Sequence, residues 1–92
     1  MNTVVLEFSG TLVSKAGMPA ELPIHADSIQ NALEQLAESH PATTRLLTDD
    51  LGNLKKFVNI FVDDVDMRML EGTQTRLTDS ERVSFYLAVA GG

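Results

Sequence analysis

The chain has 92 residues, of which 43% are hydrophobic and 22% charged, with 7 basic against 13 acidic side chains, a net charge of −6 and no cysteine. That length suits one domain with one modest core, burying roughly 60 to 65% of the unfolded surface. The missing cysteines exclude disulfides, thiolate metal sites and cysteine nucleophiles. The acidic balance argues against a nucleic-acid partner, because affinity for a phosphate backbone rests on lysines and arginines that displace counterions. It suits a basic partner protein, although solubility accounts for it equally well. No apolar run approaches the ~18 residues of a membrane span. Met1-Asn2-Thr3 does not open a secretory leader, so the expected location is the cytoplasm.

Strand-like alternation comes first. "TVVLEFS", Thr3 to Ser9, sets Val4, Leu6 and Phe8 on one side and Val5 and Glu7 on the other. A turn around Ser14 to Gly17 then leads to "MPAELPIHA", where two prolines restrict pairing and indicate an edge strand forming a hairpin with the first. In "DSIQNALEQLAESH" the apolar residues Ile29, Ala32, Leu33, Leu36 and Ala37 fall on one helical face. Asp27 or Ser28 caps its start, and Pro41 stops it after His40. From Pro41 to Leu54 the pattern is mixed and predicts a loop with one helical turn in "TTRLL".

"KFVNIFVDD" places Val58, Ile60 and Val62 on one face and Phe57, Asn59 and Phe61 on the other. A tight turn at Asp63-Asp64 leads into a short strand, "VDMRML". After the polar loop "TQTRLTDSER", the last strand "VSFYLAV" directs Val83, Phe85 and Leu87 one way and Ser84 and Tyr86 the other. The expected fold class is α+β, a mixed sheet of four to five strands with one main helix across it. Residues 1–90 form the domain and 91–92 a flexible tail. The expected core is Val4, Leu6, Phe8, Ile29, Leu33, Leu36, Val58, Ile60, Val62, Val83, Phe85 and Leu87.

Catalysis needs converging polar groups, and the sequence offers few. His25 and His40 are the only histidines, and His40 at a helix end is most simply a donor or cation near the C-terminal dipole. No nucleophile, base and orienting group assemble, so the chain does not read as an enzyme. Asp63, Asp64, Asp66 and Glu71 miss the calcium-loop spacing, and the terminal glycines are no phosphate loop. No metal and no bound cofactor is expected. The end "AVAGG" is different: Gly91-Gly92 is either a frayed end or a thread without side chains that passes down a narrow channel and presents the Gly92 carboxylate to another protein's active site.

The order of elements and the run "FVNIFVDDVDMRMLEGTQTRLTDSERVSFYLAVAGG" resemble the ubiquitin-like sulfur carriers of the MoaD/ThiS family, which adopt the β-grasp fold. "KFVNIFVDDVDMR" looks most like the longer carriers supplying sulfur for cysteine synthesis. The alternative within the family is the small subunit of molybdopterin synthase, which commonly carries a proline pair where Leu87-Ala88 stand here.

The resemblance implies that an E1-like ATPase, using ATP and Mg²⁺ of its own, adenylates Gly92. A sulfurtransferase or other persulfide donor then converts it to a thiocarboxylate for a sulfur-accepting biosynthetic enzyme, and a metalloprotease that trims a longer precursor is a further implied partner. The same activation would serve a protein modifier joined to lysines through Gly92. Phe57, Phe61 and Tyr86 are the expected docking residues, since an exposed aromatic patch marks an interface. The alternative is a patch covered by the 41–54 segment.

Overall fold

The structure is a computed structural model and describes residues 2–87. In chain order these form β1 (Thr3–Phe8), α1 (Gly10–Ala16), β2 (Glu21–His25), α2 (Ile29–Ser39), α3 (Pro41–Leu47), β3 (Val58–Val62), β4 (Val65–Asp66) and β5 (Arg82–Leu87). Two short 3₁₀ turns, Met67–Met69 and Gly72–Gln74, separate β4 from β5. The sheet runs β2-β1-β5-β3-β4. Its central pair, β1 and β5, is parallel, and the other neighbours are antiparallel.

The alternation along β1, β3 and β5 sets which face is dry. Val4, Leu6 and Phe8 share the buried face with Val58, Ile60, Val62, Val83 and Phe85. Phe8 stacks on Phe85 with ring centroids 5.3 Å apart. From the helical layer, Ile29, Ala32 and Leu36 of α2 close the core. Ser28 caps α2, its side chain accepting from the Asn31 N–H at 3.0 Å. β2 is an edge strand, as its prolines predicted. The bonds from the Phe8 N–H to the Ala20 carbonyl and from the Ala26 N–H to the Asn2 carbonyl fix which β2 residues face β1. Pro23, opposite Val5, falls at an alternate position whose missing N–H faces away from the ladder.

Several expectations need correction. β1 and β2 do pair, but the predicted turn at Ser14 to Gly17 is the end of helix α1, capped by Gly17 in the left-handed region at φ 68°. Seven residues are too few to show a helical period, and so short a helix is stable only through packing, here of the buried Leu12. β2 is shorter than "MPAELPIHA": Met18 lies outside it, buried in the core. The helix predicted over 27–40 spans Ile29–Ser39, and Ala37 on its expected apolar face is exposed.

The segment predicted as a loop with one turn holds α3, begun by Pro41 at its first turn and buried through Thr43 and Leu47. Only Val65–Asp66 of "VDMRML" is strand, since the 3₁₀ turn at Met67 takes the chain out of the sheet. Leu33 and Leu87, expected in the core, are half-buried at its margin, whereas Leu12, Met18, Ala26, Leu47, Met67 and Leu77 belong to it. The expected end of the last strand at Val89 and the expected domain boundary after residue 90 both lie outside the described residues.

The polar loop before β5 is built rather than loose. The Thr3 N–H donates to Asp79 Oδ1 at 2.8 Å, and the Ser80 N–H donates to the Thr3 carbonyl at 2.8 Å. Glu81 accepts from the Thr78 N–H, and Leu77 is buried beneath. "LTDSE" therefore anchors the start of β5 to the start of β1 and sets their parallel register.

Candidate functional site

The helices cover one face of the sheet and leave the other open. In register across all five strands on the open face lie Glu21, Glu7, Ser84, Phe61 and Asp66. Tyr86 and Asn59 form the next pair toward the end of β5. Because side chains on one face of a sheet repeat every second residue, this single surface combines an aromatic region with a charged one.

Phe61 and Tyr86 meet edge to face, with ring centroids 5.7 Å apart and planes at 83°. Tyr86 remains 47% exposed, far more than a core aromatic. With Asn59, Asp64 and Leu87 the pair lines an open groove of about 480 Å³. Phe57 is also exposed, but it precedes β3 and does not line that groove. Lys55 Nζ sits over its ring, 6.0 Å from the centroid. The structure thus brings Phe61 and Tyr86 together and leaves Phe57 outside their groove, next to Val58, which pairs with Leu87. α3 packs against α1 and α2, and among the described residues none of 41–54 lines the Phe61–Tyr86 groove.

On the other flank of Tyr86 lies a notch of about 290 Å³, walled by Glu7, Ser9, Glu21, Ser84 and the aromatic core edge. Arg82 Nη1 donates to Glu7 Oε2 and to Glu21 Oε2, and Ser84 Oγ donates to Glu7 Oε1 at 2.9 Å. The hydrogen bonds it donates to Glu21, then Glu7, hold the Arg82 guanidinium above its ordinary pKa. Ser9 Oγ is buried and has no hydrogen-bond partner among the described residues. The sequence reading missed this cluster. Glu7 was legible as an outward-facing strand residue, but its meeting with Ser84 follows from the parallel β1–β5 register, which alternation cannot reveal.

The remaining candidates have local duties. His40 joins α2 to α3, its N–H donating to the Leu36 carbonyl at 2.7 Å, and His25 is exposed on the edge strand with Thr3 Oγ1 at 3.2 Å. Asp63 and Asp64 form the β3–β4 turn at φ 47° and 71°, while Asp66 pairs with Arg68 at 2.7 Å. Among the described residues no cluster of His, Cys, Asp or Glu could hold a metal ion, and no helix is long and apolar enough to cross a membrane. Gly91 and Gly92 lie outside the described residues.

Residues 6–92 match the ThiS family. The sulfur carrier protein CysO of Mycobacterium tuberculosis is 34% identical over 68 residues, 72% of this chain and 73% of that protein. The crystal structure of M. tuberculosis CysO superposes with a TM-score of 0.80 at 26% identity, covering 94% of this chain and 99% of that one. The solution structure of small archaeal modifier protein 1 from Methanosarcina acetivorans superposes with a TM-score of 0.83 at 28% identity, covering 100% of this chain and 98% of the other. Helix α2 across a mixed five-stranded sheet is the β-grasp arrangement of these proteins, and the chain belongs to the ThiS family of ubiquitin-like proteins.

Proposed function

We propose that this protein is a sulfur carrier that docks through the open sheet face and bears its cargo on the carboxyl carbon of Gly92. The observation that carries this reading is that Tyr86 projects from the open face of β5 and stands only six positions before Gly92 in the sequence. A partner gripping Phe61 and Tyr86 would hold the base of a segment that extends up to about 17 Å, enough to reach a neighbouring active site. Similarity to the sulfur carrier CysO supports the same reading, with cysteine synthesis as the expected use of the sulfur.

The chemistry would belong to partners. A carboxylate is a poor acyl electrophile. An E1-like ATPase would join the Gly92 carboxylate to AMP, releasing pyrophosphate, with MgATP held on that enzyme. The terminal sulfur of a donor persulfide then attacks the acyl carbon and expels AMP. A second thiol cleaves the resulting acyl disulfide, taking the donor sulfur into a new disulfide and leaving a Gly92 thiocarboxylate. Its sulfur is a nucleophile that displaces a leaving group on the acceptor enzyme's substrate, and water then cleaves the acyl–sulfur bond of the resulting thioester, leaving the sulfur on the product and returning the carboxylate. This chain binds and presents, and it supplies no catalytic group.

The test is the intact mass after incubation with the E1-like ATPase, MgATP and a persulfide donor. The full chain should exchange one oxygen for sulfur, and the chain lacking Gly92 should not. If the shortened chain gains sulfur as readily, the carrier reading fails. The likeness to a small archaeal modifier protein favours a second reading, conjugation of Gly92 to lysines, which would appear in the same assay as adducts joined through an amide.

A further inference from the structure

Tyr86 is the wall between two compartments, the groove it lines with Phe61 and the notch it lines with Glu7 and Glu21. They differ in chemistry. The groove offers an aromatic pair and Leu87. The notch offers two carboxylates served by one guanidinium, an excess of one negative charge, on side chains 34% and 55% exposed. Behind it lies a buried hydroxyl, Ser9 Oγ, with no hydrogen-bond partner among the described residues. Ion pairs this exposed add little to stability, so retention of the fold does not account for two acids converging on one arginine nitrogen. Charge of one sign beside an apolar anchor is instead how an interface fixes its register and steers encounter.

We propose that the notch is the specificity half of the docking face and receives a lysine or arginine side chain of the partner protein, next to an apolar side chain in the Phe61–Tyr86 groove. This rests on the docking face proposed above and adds the chemistry of what docks there. The incoming cation would share Glu7 and Glu21 with Arg82, turning a triad with one charge in excess into a balanced pair of pairs. The net charge of −6 would draw such a basic surface from a distance, while Tyr86 sets the spacing between the cation and its apolar neighbour. A neutral or acidic surface would leave the extra carboxylate charge desolvated and unpaired, which is how the face would reject wrong partners.

Equilibrium binding to the E1-like ATPase, measured at several salt concentrations, tests this. Wild-type affinity should fall as salt rises. Glu21→Gln should raise Kd roughly three- to tenfold at low salt, chiefly through slower association, and should flatten the salt dependence. Glu21→Lys should be weaker again, with the thermal midpoint of each variant checked to exclude unfolding. Salt-independent binding, or a Glu21→Gln variant that binds like wild type, overturns the proposal, as does no binding at all. Sulfur loading is read separately on the same samples. A chain that binds in this salt-dependent way but gains no sulfur would sink the carrier reading and leave the notch standing.

Discussion

Tyr86 and Phe61 face each other across the β3–β5 pair, edge to face at 5.7 Å, on the side of the sheet that no helix covers. Such a pair contributes about 0.5 to 1.5 kcal/mol beyond its area, while its exposed surface remains available to a partner. Tyr86→Ala should therefore cost the fold roughly 1 kcal/mol and cost partner binding about 2 kcal/mol or more. Calorimetric titration beside a denaturation curve separates the two losses. A larger loss in folding than in binding would show that Tyr86 is structural. Phe57, which stands outside the groove, should lose less binding on substitution than Phe61.

The segments that look like loops hold part of the core. Leu12 in α1 and Leu47 in α3 are fully buried, and truncating either to Ala should cost about 2 to 5 kcal/mol. Leu33→Ala, at the half-buried margin, should cost clearly less. Urea denaturation of the three variants ranks them. If Leu33 proves the most sensitive, the packing of α2 against the sheet is misassigned.

The Asp63-Asp64 turn stores a small backbone cost. Both residues have positive φ, as a two-residue hairpin of this hand requires, and glycine is favoured at the second position. Asp63 compensates, its Oδ1 accepting from the Arg82 N–H at 2.9 Å. Asp64→Gly should stabilise the protein by on the order of 0.5 kcal/mol, and Asp63→Ala should destabilise it by about 1 to 2 kcal/mol, read as shifts in the denaturation midpoint. A loss of stability in Asp64→Gly would mean that the Asp64 side chain has a compensating contact.

Acid should loosen one surface pair. The hydrogen bond from Arg68 holds the Asp66 carboxyl below the ordinary carboxylate range. A carboxyl whose pKa is lower folded than unfolded contributes stability above its unfolded pKa and loses it as pH falls through the folded value. In Arg68→Ala the Asp66 titration, followed by carboxyl NMR shifts, should move up toward the ordinary range. Stabilities of the two proteins should converge in strong acid. An unmoved midpoint would show that the ion pair does not form in solution.

The sequence by itself determined what repeats locally. Alternation in "TVVLEF" and "VNIFV" assigned the dry face of β1 and β3, the three-four spacing in "IQNALEQL" placed α2, and the prolines put β2 at an edge. Phe61 and Tyr86 were legible as outward-facing for the same reason. Helices of seven residues carry too few turns to show a period, so α1 and α3 were decided by the burial of Leu12, Thr43 and Leu47 in the tertiary core. Contacts far apart in the chain were likewise invisible. Glu7 meets Ser84, and Arg82 bridges to Glu21, only because "LTDSE" clamps β5 parallel to β1. A parallel pairing leaves no periodic trace in either strand, since register along a neighbour is set by anchoring hydrogen bonds and shared packing rather than by the residues of the strand alone.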